Sequence, residues 1–341
     1  MISPYLNKKM AIRADKLHEI AALSRANLTA FEPLEDGIDK KPALEIVNGS
    51  VAVIDISGVL VKRLSFLSHF LGEVSMPKIG QVFESALNDS QISLIVLKLD
   101  SPGGTVDGTE ELAALIHASR GKKPIIAYSD GQICSAAYWI GSAADAIYVS
   151  GETIQVGSIG VAATHVDVSA QDAMCGEKYT EITAGKYKRI TSAHRPLSDD
   201  GQAYLQEQVD YLYSVFVETV AQFRGRSIPQ ILEAADGKIF MGQAAVDTGL
   251  VDGIATFNQV LALAKSSEKL QAIKKNNHAA KTFEQHVFGL CAEGKSQQTA
   301  FQSIMDLHPE LYADFNSRLK SGGTIGELFP GQNRNQLKGD C

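Results

Sequence analysis

Short apolar runs alternating with amphipathic helical stretches constrain this chain more than any other feature of it. SLIVLKLD (residues 93–100), PIIAYSD (124–130) and AIYVS (146–150) are too short for buried helices and rich in β-branched residues, so they read as buried strands. Between them, MPKIGQVFESALNDS (76–90) sets Ile79, Val82, Phe83 and Leu87 on one helical face, and VDGTEELAALIHASR (106–120) is also amphipathic. Upstream, LEIVNGSVAVIDISGVLV (44–61) gives two strand-like runs about a turn-forming Asn48-Gly49. A repeated strand, helix, strand order predicts an α/β domain with mainly parallel pairing, whose ligands bind beyond the carboxyl ends of strands. The small-residue junctions after LIVLKLD and PIIAYSD stand at such ends.

A long helix is expected over SDDGQAYLQEQVDYLYSVFVETVAQFRG (198–225). Ser198 suits its N-cap, Asp199 and Asp200 the positive end of its dipole, and Gly225 its exit. Leu205, Val209, Leu212, Phe216 and Val220 form an apolar stripe that reads as a packed face.

Three regions are expected. Residues 1–42 form an arm or linker with one helix-like piece, ADKLHEIAALSRA; residues 43–264 form the principal domain; residues 265–341 form a polar, partly helical extension whose helical module contains Pro309. A chain of 341 residues with 45% hydrophobic content can bury a large core. Its 32 Lys and Arg against 39 Asp and Glu give a net charge of −7 without a basic run, which argues against nucleic acid as a partner. The 4 cysteines (Cys134, Cys175, Cys291 and Cys341) lie far apart without CxxC spacing, so neither a zinc site nor a disulfide framework is expected. The charged N-terminus lacks the apolar core of a secretory signal, and no apolar run reaches a spanning helix. The expectation is a cytoplasmic protein without a membrane anchor or cofactor.

Three segments carry candidate chemistry. DSPGGTVDG (100–108) follows a buried strand, and its Gly103-Gly104 can present backbone N–H groups to an anionic atom. The spacing is neither a Walker loop nor GxGxxG. It can serve as an oxyanion hole, as a phosphate site or as a plain strand-to-helix turn. DGQICSAAYWIGSAAD (130–145) sets Cys134 beside Ser135 where a strand gives way to a small-residue helix, so that the positive helix end can stabilise developing charge. Cys134 is the more nucleophilic atom intrinsically, yet buried cysteines are usually inert, and Ser135 needs a base. ITAGKYKRITSAHRPLSDDG (182–201) brings Lys186 and Lys188 close together, and a lysine acts as a base only when its pKa is lowered by several units. In an extended segment the two would point the same way.

Taken together, DSPGG, Ser135 at the head of a small-residue helix with YW, GSIGV (157–161), GKYK (185–188) and ADGKIFMGQAAVDTGLVDGI (235–254) resemble, in order and spacing, the signal peptide peptidase A family of serine proteases. The resemblance runs from about Ala43 to Phe257 and is strongest to the phage-encoded prohead, or minor capsid protein C, branch. It implies a Clp-protease and crotonase-like α/β fold with repeated β-β-α units, and a Ser-Lys dyad. The family serine falls on Ser135 and the family lysine on Lys188, last in the Gly-x-Tyr-Lys pattern. The oxyanion hole falls on Gly103, Gly104 and the N–H of Ala136. Many relatives have Ala-Ser-Gly-Gly where this chain has Cys134-Ser135-Ala136-Ala137, and Lys186 offers a rival base.

The resemblance further implies a peptide or protein substrate, homo-oligomers in which one protomer completes another's site, and capsid, portal or scaffold proteins as partners during head maturation. An extended strand at residues 104–107 is expected to pair with the substrate backbone. Other readings are a cellular signal-peptide-degrading enzyme, a Ser-His-Asp triad using His165 and Asp167, a crotonase-like acyl-CoA enzyme using Glu110 or Glu111, and a capsid-assembly protein with a vestigial protease fold.

Overall fold

Apolar alternation and turn chemistry account for most of the elements in a computed structural model, which describes residues 9–13, 43–65, 68 and 72–263. The expected helix at 14–26, most of the expected arm and the whole extension from 265 lie outside the described residues. Asn48 and Gly49 both adopt positive φ, 53° and 71°, as the central residues of a tight turn closed by the Ser50 N–H on Val47 O at 3.3 Å. They join β2 (Leu44–Val47) to β3 (Val51–Ser57) in antiparallel register.

From β3 onward a β-β-α unit recurs. In each unit the first strand enters one large sheet, the second turns out of it, and a helix returns the chain. β3 is followed by β4 (Val59–Val61), β5 (Glu73–Ser75) and α1 (Met76–Asn88). β6 (Leu94–Asp100) is followed by β7 (Gly103–Thr105) and α2 (Thr109–Ala118). β8 (Ile125–Ser129) is followed by β9 (Gln132–Cys134) and α3 (Ala136–Ser142). This is the repeat expected of a Clp-protease and crotonase-like α/β fold.

With β10 (Ala146–Val149) and β13 (Gly253–Ile254), the first strands build a six-stranded sheet in the order β13-β10-β8-β6-β3-β2. All its pairs are parallel except β2 with β3. Burial on both faces explains why β6 and β8 read as unbroken apolar runs rather than alternating ones.

Two smaller sheets hold the out-turned strands. One has the order β1-β7-β4-β5, with β1 (Met10–Ile12) antiparallel to β7. The other has the order β12-β11-β9, from β11 (Gln155–Gly157) and β12 (Ile239–Met241). That second sheet is what joins the distant GSIGV and GKIFMG motifs: Val156 pairs with Phe240 on one side and with Ile133 on the other.

After the short helix α4 (Ser169–Met174), the long helix α5 (Asp199–Arg224) begins at Ser198, whose hydroxyl accepts from the Gly201 N–H at 3.2 Å. It ends at Gly225 in the left-handed region. The predicted stripe is buried only toward the C-terminal half, at Phe216 and Val220, whereas Leu205, Val209 and Leu212 stay half-buried. Among the described residues no helix is long and apolar enough to cross a membrane.

Candidate active site

Ser135 stands between β9 and α3 with φ 55° and ψ −120°, a conformation disfavoured for a non-glycine residue. Backbone bonds on both sides hold it there. The Ser135 N–H donates to Gly157 O at 2.7 Å, the Ser135 carbonyl accepts from the Trp139 N–H at 2.9 Å, and the Cys134 N–H donates to Ser101 O at 3.1 Å. Its hydroxyl is buried and has no hydrogen-bond partner among the described residues. A strained, unsatisfied hydroxyl at a strand-to-helix turn is the geometry of a presented nucleophile.

Cys134 and Ser135 are thereby separated. The fully buried Cys134 directs its thiol toward Gln155 O at 3.7 Å, on the β11 side, and behaves as a small core residue.

The helix behind Ser135 is anchored at three places. The Trp139 ring stacks on Phe216 of α5 at 4.4 Å, and Tyr138, its pKa pushed up to about 12 by burial, donates to Leu250 O at 2.9 Å. At the far end, Arg120 donates to the carbonyls of Ser142, Ala143 and Ala144 and to Phe223 O of α5. Burial lowers the Arg120 pKa to about 10, partly offset by Asp145 at 3.9 Å. A guanidinium spread over the last carbonyls of α3 suits the negative end of that helix. Nothing in the local sequence singled out Arg120, because the groups it caps lie over twenty residues away. Arg120→Met is expected to cost about 3 kcal/mol, since several buried carbonyls lose a charged donor at once; chemical denaturation of the two proteins measures it.

The glycine turn lies against Ser135. Gly103 has φ 103°, and a Cβ there would collide with the Ala11 carbonyl oxygen and stand 2.9 Å from Ser135 Cβ. The Gly103 N–H is engaged by Ser101 Oγ at 3.1 Å, which leaves the Gly104 N–H as the amide of this turn on the β7 edge. Ala136 is the first residue of α3, whose leading N–H groups lack intrahelical partners. Ser135, Gly103, Gly104 and Ala136 are thus brought together or adjoin in chain.

The lysines are not brought to the serine by hydrogen bonds, since Ser135 Oγ has no partner among the described residues. Residues 184–191 are bends and turns rather than an extended segment, because Gly185 adopts φ 95° and the Lys188 N–H closes back on Gly185 O at 3.1 Å. Lys186 and Lys188 therefore do not share a face by strand alternation. Lys186 is exposed, pairs with Asp200 at 3.4 Å, and has its pKa raised by a hydrogen bond to Tyr187 and by Asp200. A raised pKa is the wrong direction for a base. Lys188 is exposed, on a segment that also exposes Met174 at 89% and Ile182 at 95%.

The rival constellations are otherwise engaged. His165 Nε2 lies 3.0 Å from Ser192 O, and Asp167 accepts from the Ser169 N–H at 2.9 Å, so neither bonds to Ser135. Glu111 pairs with Lys62 at 2.8 Å on an exposed face of α2.

Known proteins resemble this chain in sequence. The head-tail preconnector protein of Enterobacteria phage P21 is 30% identical over 226 residues, covering 66% of this chain and 44% of that protein. Capsid assembly protease C of Escherichia phage lambda is 30% identical over 254 residues, 72% of this chain and 57% of the relative. Protease 4 of Salmonella typhi is 30% identical over 224 residues, 65% and 35% respectively. The chain spans about half the length of the two phage relatives. Residues 117–271, which hold Ser135, its helix and both lysines, match the family model of Peptidase family S49.

Proposed function

We propose that the protein is a serine endopeptidase in which Ser135 Oγ attacks a peptide carbonyl. The observation that carries this is the Ser135 geometry: a strained residue with a buried, unpartnered hydroxyl at the head of a helix and beside a glycine turn. The Gly104 and Ala136 amides hold the oxyanion, and a neutral lysine removes the serine proton and later returns it to the leaving amine.

Lys188 is the base in this reading. It is exposed and has no side-chain partner among the described residues, whereas Lys186 is tied to Asp200. The exposed Ile182 and Tyr187 of the same segment suit delivery of Lys188 to Ser135 in an assembly of copies. Lys188→Ala is expected to reduce hydrolysis of an unfolded protein such as casein at least a hundredfold, while Lys186→Ala costs less than tenfold. Reversed effects would transfer the role to Lys186. Mixing inactive Ser135→Ala with inactive Lys188→Ala restores activity if one protomer completes another's site.

Sequence similarity to a capsid assembly protease and a head-tail preconnector protein supports capsid or scaffold precursors as substrates, cut within an assembling phage head. Co-expression with a capsid or scaffold protein encoded beside it, followed by intact-mass analysis against Ser135→Ala, tests this. Cleavage by both proteins, or by neither, would remove the assignment.

A further inference from the structure

The strand position expected for substrate is already filled, and by the chain itself. Met10–Ile12 pairs antiparallel with Gly103–Thr105 on one side, and on the other Met10 exchanges two backbone bonds with Ala162, each 2.9 Å. The segment therefore runs between the glycine turn and the stretch that follows GSIGV, with Ser135 beside it. Its side chains are buried: Met10 is 2% exposed, Ala11 0% and Ile12 7%.

The antiparallel ladder extends past both ends of the strand. The Arg13 N–H donates to Pro102 O at 3.0 Å and the Val106 N–H to Lys9 O at 3.2 Å. Bonded pairs alternate along an antiparallel ladder, so the intervening pair, Ala11 with Gly104, is also a bonded one, and the Gly104 N–H faces the Ala11 carbonyl. The amide assigned to the oxyanion hole thus holds a backbone carbonyl of the chain's own residue. That carbonyl also lies against Gly103 where a Cβ would come within 2.9 Å of Ser135 Cβ. Arg13 completes the attachment, bonding Gln132 at 2.8 Å and also Gln155, on the two strands that flank the nucleophile from behind.

We propose that residues 9–13 are a cis-acting plug: they mimic an extended substrate in the strand position between β7 and Ala162 and must leave before a protein substrate enters. This rests on the reading of Ser135 as the nucleophile of a peptidase. Regulation then consists of exchange between two strands for one ladder, and an incoming peptide that makes the same backbone bonds replaces the plug without leaving β7 unpaired.

A reversible lock tests the proposal on the full chain. Directly opposite residues in a bonded antiparallel pair have Cα atoms about 5.5 Å apart, within disulfide reach, so Met10→Cys combined with Ala162→Cys can tie the plug in place. Casein hydrolysis by the oxidised double variant is expected to fall more than tenfold below its own reduced form and to return with reductant, while wild type under the same oxidant is unchanged. Equal rates in the two forms would overturn the plug and leave the peptidase reading standing. A second variant, Ala11→Glu, sets a carboxylate at a fully buried position and is expected to raise hydrolysis severalfold by expelling the strand. If it lowers hydrolysis, Met10–Ile12 is a structural strand and the proposal fails. Should wild type and reduced variant both leave casein intact, and Ser135 resist a fluorophosphonate probe, the peptidase reading falls and the plug with it.

Discussion

Ser135→Ala is expected to abolish peptide hydrolysis, with a loss of at least about a thousandfold, because removing a nucleophile leaves only the contribution of the oxyanion donors and binding. Ser135→Gly should be equally inactive yet more stable than wild type. The reason is the backbone: at φ 55° and ψ −120° a Cβ-bearing residue is strained, and glycine relieves it. A gain on the order of 1 kcal/mol is expected, offset in part by the greater freedom of glycine in the unfolded chain. Thermal unfolding and casein hydrolysis of the three proteins separate the two effects. Retained hydrolysis in Ser135→Ala would remove the nucleophile assignment, and a less stable Ser135→Gly would show that the turn is not strained.

Gly104→Ala is expected to be the most damaging change at the glycine turn. A Cβ at this position would fall on the Leu60 carbonyl oxygen of β4, which is backbone and cannot rotate away. Leu60 and Gly104 are paired partners in the small sheet, so relief requires β4 and β7 to part. The expected cost is about 3 kcal/mol, the upper range for overpacking a rigid site. Displacing β7 also misplaces the amide proposed as an oxyanion donor, and loss of one such donor lowers the rate about a hundredfold or more. Both losses should appear together, in denaturant unfolding and in hydrolysis, and a stable, active Gly104→Ala would contradict the close approach. Gly103→Ala tests the neighbouring position, where the collision is with the Ala11 carbonyl and with Ser135 Cβ.

The strand and helix periods made most of the principal domain legible before any coordinates. β3, β6, β8 and β10 fall within the apolar runs that predicted them, and α5 begins at the N-cap Ser198 and ends at the C-cap Gly225 chosen from residue chemistry. Local physics suffices there, since burial, capping and φ preference act within a few residues. Ser135 was legible for the same reason, as a nucleophile candidate at a strand-to-helix junction. Its competition with Cys134 was not, because the side to which each side chain points depends on β11, which approaches from twenty residues downstream.

Arg120 and the N-terminal strand were illegible in a stronger sense. Arg120 acts on carbonyls of α3 and α5, and no sequence period links a guanidinium to acceptors on other elements. Met10–Ile12 is a run of only 3 residues, too short to carry alternation, and it becomes a strand only because β7 offers an open edge. The lysine segment was open for a different reason: Gly185 at φ 95° turns the chain, and the spacing of Lys186 and Lys188 alone does not say which way either side chain points.

The amino-acid sequence by itself determined the recurring strand, helix, strand order, the glycine turn and the strand-to-helix junction that holds Ser135, because each is specified by neighbours a few positions apart. Tertiary structure alone decided that the Ser135 hydroxyl lacks a partner among the described residues, that Ser101 takes the Gly103 amide, and that Met10–Ile12 pairs with the glycine turn beside Ser135. Those depend on backbone groups meeting across the chain, where hydrogen-bond geometry rather than residue type selects the partner.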